Sequence, residues 1–401
     1  MALRFLTAGE SHGPGLIAVL EGLPAGLKVD EDALVRELAR RQKGAGSGPR
    51  MRIERDRAHI LSGVLAGQTT GAPIALWIPN RDHAKWRGKL IPPFTTPRPG
   101  HGDLAAALKY GYTDLRPGLE RASARETAAR VAVGALCKQF LAALGIRVQG
   151  YVLAIGDVHA QRLPESYTSR WAQAEASPVR CPDPDASVAM EVAIQRAMQA
   201  RETLGGVIEV VATGVPPGLG SHVHWDRRLD ARLAAAVMSV PAIKAVSLGE
   251  GWEQAAQLGT QAHDPLRLRD RDIVRPTNRA GGIEAGISNG QPIVLRAAMK
   301  PIPTTLTPQP TVDVATGLET ETRYERSDFC PVPRAVPVIE AMVAFVLADA
   351  VLEKVGGDTM AEVQQRFAAL PWPSLDALRI TGQPHVFWPA SDQELPPATQ
   401  A

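Results

Sequence analysis

The stretch GLIAVLEGLPAGL (15–27) decides how this chain is read, because a close counterpart, GVIEVVATGVPPGL, returns at 206–219. Each is an apolar run closed by a Gly-x-Pro-x-Gly-Leu turn, and each leads into a helix-like pattern, Asp30–Arg41 and Asp226–Met238. A second pair, GVLAGQTTGAPIAL (63–76) and GIEAGISNGQPIVL (282–295), shares the frame G-x-x-x-G-x-[TS]-x-G-x-P-I-x-L. A third, Arg121-x-Ser123 and Arg326-Ser327, precedes an apolar helix each time. The same order recurs roughly two hundred residues later, the mark of an internal duplication. The expected organisation is a first half over 1–150, a connecting excursion over 151–204, a second half over 205–358 and a C-terminal extension over 359–401, all in one structural unit. The alternative is a chance likeness of Gly/Pro turns. Each half reads as a hairpin-rich sheet with helices packed on it, an α+β arrangement. Duplicated halves often pack about a pseudo-two-fold, which would bring equivalent loops to a shared cleft.

Composition narrows the function. The 401 residues are 45% hydrophobic and 21% charged, which excludes wholesale disorder and collagen-like repeats. A net charge of +2 and 5% aromatic residues argue against a nucleic-acid binder, which needs a basic field and stacking platforms. Cys137, Cys181 and Cys330 form no C-x-x-C, so neither a disulfide framework nor a cysteine zinc site is expected, and a reducing, cytoplasmic setting is. The N-terminus does not read as a signal peptide. Val338–Leu352 is apolar but holds Glu340 and Asp349; it reads as a buried helix, too short and too charged to span a membrane.

Several helix ends are signalled. Asp30 is placed to cap a helix with acidic residues first and basic residues last. Thr127–Leu144 should stop at Gly145, and Pro337 suits the first turn of Val338–Lys354, which stops at Gly356. The junction Arg162–Asp185 reads as a surface excursion with one helix from Pro184 to Arg201. The tail from Pro371 reads as a loose extension with one short strand.

Five stretches could carry chemistry. Gly9-Glu10-Ser11-His12-Gly13 and Arg98-Pro99-Gly100-His101-Gly102-Asp103 each set an imidazole on a Gly turn, the former with backbone amides open to an anion, the latter beside a guanidinium. Arg121-Ala122-Ser123-Ala124-Arg125-Glu126, if helical, puts Arg121 and Arg125 on one face, with Glu126 turned toward Arg130 and the two cations left wanting a partner. The strip from Arg40 to Arg52 is rich in Gly and cations but lacks P-loop spacing, and suits a lid closing on a phosphate or carboxylate. Lys300-Pro-Ile-Pro-Thr304 and Arg326-Ser327-Asp328 add a lysine after a strand and a carboxylate among cations. Each also has a plain structural reading, as a solvated face or a salt bridge. No zinc-protease, nucleophile-elbow or Rossmann pattern is present, and His222-Val-His224 has no further ligand in a recognisable pattern, so no metal is expected. What remains is a cationic pocket for a small substrate bearing phosphate and carboxylate. The residue patterns do not by themselves identify the reaction.

Together these segments resemble the chorismate synthase family: GESHG (9–13), RPGHGD (98–103), RASARETAARVAVGA (121–135), GLGSHVHWDRRLDARLA (218–234), KPIPT (300–304) and RSDFCPVPRA (326–335), in order and across most of the chain. The resemblance implies a β-α-β sandwich with helices between antiparallel sheets and two pseudo-symmetric halves, assembled as a homotetramer. It implies a carbon–oxygen lyase of the shikimate pathway to aromatic amino acids, which eliminates phosphate from 5-enolpyruvylshikimate-3-phosphate to give chorismate and needs reduced FMN. Carried over by position, His12 would protonate or stabilise the reduced flavin and His101 would assist the departing phosphate. Asp328, through the flavin N5, would take part in removing the C6 proton, with Ser11 and Ser123 relaying protons. Arg41, Arg50, Arg98, Arg125 and Arg326 would bind the substrate's anions. The flavin positions would be Arg121, Ala122, Ser123, Pro241, Ala242, Ala285, Lys300, Pro301, Ile302, Pro303, Thr304 and Arg326. Gly102, Ala122 and Ser47 depart from the family's usual Ala, Ser and Arg, and Ser47 bears on any NADPH-related role of the basic strip. NADPH would be an indirect reductant, with reduced flavin borrowed from a separate reductase. The alternatives are a flavin-dependent oxidoreductase acting on a phosphorylated metabolite and a non-catalytic anion- or RNA-binding module.

Overall fold

Along Gly15–Glu21, Leu16, Ala18 and Leu20 point inward while Ile17 and Glu21 are exposed, the period-two alternation of a half-buried strand. This strand is central to a four-stranded antiparallel sheet ordered Arg4–Ala8, Gly15–Glu21, Ile74–Pro79, His59–Ile60. A five-stranded antiparallel sheet is ordered Ile243–Leu248, Ile293–Met299, Gly206–Thr213, Arg147–Ile155, Val158–His159. These elements come from a computed structural model that describes residues 3–47, 55–323 and 328–384.

Between the sheets lie two helices, Thr127–Ala142 against the first sheet and Val332–Val355 against the second, packed on one another. Their contact is close: a β-carbon at Gly134 would stand 2.4 Å from the Ala341 Cα, so only glycine fits. Glu31–Gln42 packs on both, and Leu229–Met238 packs on the long helix and on Ile243–Leu248. The layering is the expected β-α-β sandwich. Val332–Val355 is long and apolar enough to cross a membrane, but it is buried in the middle of the molecule. Its charges are satisfied there. Glu340, fully buried, accepts from Arg40 Nη1 at 2.6 Å, from Lys138 Nζ and from the Gly150 amide at 2.7 Å. Asp349 accepts from the Leu3 amide and Arg232.

The internal likeness appears in the hydrogen bonds. The hairpin Val64–Leu65/Gln68–Thr69 matches Ile283–Glu284/Ile287–Ser288, each turning through an alanine of positive φ, Ala66 and Ala285. Thr69 Oγ1 donates to Pro24 O and accepts from Leu27 N; Ser288 Oγ donates to Pro216 O and accepts from Leu219 N, all within 2.6–2.9 Å. Both Gly-x-Pro-x-Gly-Leu turns are therefore pinned by a hydroxyl from their own half's hairpin.

Three expectations need correction. The long helix begins at Val332, so Pro333 takes the first-turn position and Pro337 lies inside; it removes one ladder bond, and the burial of the surrounding apolar residues holds the helix. The junction holds two helices, Tyr167–Ala176 and Pro184–Gln199, because Trp171 and Ala174 pack into the face of Arg147–Ile155. The second helix-like pattern starts at Leu229, after a single 3₁₀ turn at Trp225–Arg227. The described part of the tail has a 3₁₀ turn at Leu375–Ala377 and a single bridge from Ser374 to Asp272, and the expected short strand is left open because 385–401 lie outside the described residues.

Candidate active site

The turn after Arg4–Ala8 is forced by Gly9, whose φ of +107 brings it so near Gly15 that a β-carbon would meet the Gly15 carbonyl at 2.4 Å. Ser11 and His12 ride on this turn. The carboxylate of Glu120 takes His12 from two sides: Oε1 meets the ring Nδ1 at 2.7 Å and Oε2 accepts the His12 amide at 2.7 Å. That pairing fixes the ring, with Nδ1 facing the carboxylate and Nε2 turned away. Burial alone would raise the Glu120 carboxyl, but the two bonds from His12 carry it below its usual value. The Trp86 ring lies 4.3 Å from the His12 ring, centroid to centroid. Ser123 Oγ donates to Ser11 Oγ at 3.1 Å, so both hydroxyls belong to this cluster.

Arg121 and Arg125 do not share a helical face. The Arg116–Arg121 helix ends before Ser123, whose extended backbone caps a new 3₁₀ turn, Ala124–Glu126. Arg121 turns back to the first strand, donating to Thr7 O and Oγ1. Arg125 is buried and is not short of partners: Nη1 donates to Asp56 Oδ1 at 2.6 Å and Nε to Asn80 Oδ1 at 2.8 Å. Its Nη2, equally buried, has no partner among the described residues. Glu126 does pair with Arg130, as its spacing predicts.

The start of the basic strip is held rather than loose. Arg40 joins Glu37, Glu175 and Glu340. Arg41, also buried, donates to Thr127 Oγ1, to Ala124 O and, at 3.4 Å, to Asp56 Oδ2. Burial and the neighbouring Arg334 and Arg125 pull its guanidinium below its ordinary value, with Asp56 opposing. The carbonyl of Gly46 accepts from Phe329 N, which seats this segment beside Asp328. Asp328 is ion-paired with Arg334, and Arg334 Nε donates to Arg41 O. Arg50 and Arg326 lie outside the described residues.

A second imidazole is built the same way. Asp103, fully buried, accepts His101 Nδ1 at 2.6 Å and takes Arg98 through both Nε (2.8 Å) and Nη2 (2.9 Å). Arg98 Nη2 also lies 3.0 Å from His101 Nδ1, but a nitrogen already donating to a carboxylate cannot accept, so the Asp103 contact governs the ring. Burial pushes the Asp103 carboxyl up; Arg98 and His101 more than reverse that and hold it well below the carboxylate range.

Contacts run continuously between these clusters. The Asp103–Tyr110 helix packs on Arg116–Arg121, which carries Glu120. Lys300 Nζ donates to Gly100 O at 2.7 Å, and its own amide donates to Ala242 O. Ile302 O accepts from Thr203 Oγ1, and the next residue, Leu204, donates to Phe329 O beside Asp328. Pro301, Pro303 and Thr304 belong to the same Lys300–Thr304 run, between the RPGHGD turn and the Asp328 segment. Beside the Ser123 turn opens a cleft of about 660 Å³, lined by Phe5, Leu6, Thr7, Arg121–Ser123, Glu126, Arg130, Ser239, Pro241 and Met342. Its size is that of a small-ligand site, and its lining combines apolar groups (Phe5, Leu6, Met342) with the guanidinium groups of Arg121 and Arg130. Of the flavin positions, Arg121, Ala122, Ser123 and Pro241 line this cleft, whereas Ala242, Ala285 and Lys300–Thr304 are not in its lining; Ala285 sits on the second hairpin, whose next residue, Gly286, accepts from Leu229 N. Asp56, Asn80 and Glu120 escape sequence reading as site residues, since each acts through a partner distant in the chain and carries no spacing signal; Arg334 lies six residues from Asp328, inside RSDFCPVPRA, but nothing in that segment singles it out as the partner of Asp328.

Such a fold and site define an α+β enzyme with a cationic, carboxylate-braced pocket for a small anionic substrate. The family model for chorismate synthase matches residues 3–352. Chorismate synthases from Trichlorobacter lovleyi and Aquifex aeolicus are 52% and 51% identical, over 90% and 91% of this chain and 97% and 96% of theirs. A crystal structure of a chorismate synthase superposes with a TM-score of 0.76 at 46% identity, covering 92% of this chain and 97% of that one. The chain belongs to the chorismate synthase family, whose members are lyases that use reduced flavin.

Proposed function

We propose that this chain releases phosphate from 5-enolpyruvylshikimate-3-phosphate by 1,4-elimination, forming chorismate, and that the cleft beside Arg121–Ser123 and Pro241 holds reduced FMN. The observation that carries the reading is the paired design of the two histidines, each with Nδ1 on a buried or part-buried carboxylate, together with a buried guanidinium, Arg125, that has one nitrogen without a partner among the described residues. The cleft suits a flavin in its size and in a lining that mixes apolar side chains with guanidinium groups. Reduced FMN, when bound, lends an electron transiently in a reaction without net redox change.

The protein's own groups divide the remaining work. Arg125 Nη2 and Arg41 hold substrate anions in a buried cluster where cations outnumber the carboxylates Asp56 and Asp328, so an anion relieves the repulsion. Arg98 stays beside His101, and His101 Nε2 gives a proton to the leaving phosphate. His12, braced by Glu120, is the proton-holding group near the flavin, with Ser11 and Ser123 as relays. Asp328 is the carboxylate on the side of the C6 proton, held in place by Arg334. Lys300–Thr304, Ala242 and Arg326 complete the cofactor side, and Ala285 is retained in that set from the resemblance alone. The protein is a cytoplasmic homotetramer that takes its reduced flavin from a separate reductase, NADPH acting indirectly; its buried free thiols suit a reducing compartment.

The test is phosphate release from the enolpyruvyl substrate under anaerobic conditions, with dithionite-reduced and with oxidised FMN. Turnover is expected with the reduced form only. Equal turnover with oxidised FMN, or stoichiometric consumption of NADPH, overturns the reading and favours an oxidoreductase.

A further inference from the structure

Asn80 stands one residue past the strand Ile74–Pro79 and is 5% exposed. Its amide faces two different sets of groups. Oδ1 accepts from Arg125 Nε at 2.8 Å, while Nδ2 donates to Gly13 O at 2.9 Å, Glu10 O at 3.1 Å and Ser11 O at 3.4 Å. The partners fix which end is which, because a guanidinium only donates and a carbonyl only accepts. The Asn80 main-chain N–H closes the arrangement on Pro14 O at 3.0 Å. One side chain thus grips the buried arginine with its oxygen and three carbonyls of the Gly9–Gly13 turn with its nitrogen.

We propose that Asn80 is a positioning residue that couples Arg125 to the turn carrying Ser11 and His12, so that an anion held by the guanidinium sets the proton-handling turn in place. This rests on the reading of Arg125 and His12 given above. Asp56 serves the other arm: it holds Arg125 Nη1 and faces Arg41. The two neighbours of Arg125 therefore predict different kinetic signatures.

Asn80→Asp keeps the acceptor for Arg125 Nε but turns a carboxylate toward three carbonyls. Its kcat should fall about a hundredfold, the effect of roughly an ångström of misplacement, with KM within about threefold. Asp56→Asn should chiefly raise KM. The position of the turn has an independent reporter in Trp86, whose ring lies 4.3 Å from the His12 ring at an interplanar angle of 40°: the emission lost on Trp86→Phe should differ between wild-type and Asn80→Asp backgrounds. Asn80→Ser, which cannot span both sets, should show the same split and serves if the aspartate variant does not fold. An unchanged kcat, or parallel changes in kcat and KM with unaltered Trp86 emission, overturns the coupling. His12→Ala and Arg125→Ala belong in the same assay. If both turn over normally, the functional reading itself fails; if both are impaired and the Asn80 variants are not, only the coupling fails.

Discussion

His101 donates a hydrogen bond from Nδ1 to a carboxylate that Arg98 grips with two nitrogens. His101→Ala should lower turnover by roughly two to four decades, the range for losing a general acid, in a phosphate-release assay. Asp103 also ties pH to stability. Its carboxyl is held below its ordinary value, so the stabilisation is complete above the unfolded pKa of about 3.9 and drains away as pH falls toward the folded value. Asp103→Asn should accordingly flatten the acid limb of a melting-temperature profile. Arg125→Ala should weaken substrate binding by about 1.5–3 kcal/mol, as for a hydrogen bond to a charged group, measured by titration calorimetry. At this scale the sequence showed the donors and hid their braces. His12 and His101 stand out between glycines, whereas Glu120 lies 108 residues from the ring it orients.

Helix ends were legible where the signal is local. Asp30 caps its helix through Ala33 N, and Glu126 meets Arg130 one turn on. The break at Ser123 was missed because a helical register fits 121–130 equally well; what stops it is Arg121 turning back to Thr7 while Arg125 plunges toward Asp56. Between the central helices, Gly134→Ala should destabilise by about 1–3 kcal/mol in urea unfolding, since its new methyl would meet Ala341 backbone. Glu340→Leu should lose about 3 kcal/mol, the low end for breaking a buried pair, because Arg40 keeps Glu37 and Glu175.

For the whole molecule, the repeated turns mark two hairpin-rich halves, while the pairing of their strands is seen only in the structure. Gly15–Glu21 pairs directly with Ile74–Pro79, and Gly206–Thr213 with Ile293–Met299. The way the halves meet was not written in either repeat, because it depends on a glycine facing an alanine more than two hundred residues away. One bond across that divide, Lys300 Nζ to Gly100 O, ties the Lys300–Thr304 run to the His101 turn. Lys300→Ala should therefore weaken reduced-flavin binding and turnover together, read by anaerobic flavin titration alongside phosphate release.

The twin hydroxyls of Thr69 and Ser288 hold corresponding corners by the same four-bond scheme, yet neither touches the reacting groups described above. The two halves thus share the bonding of these joints, away from the groups proposed to carry the chemistry. Exchanging those two side chains, serine for threonine and threonine for serine, should leave an enzyme that barely notices.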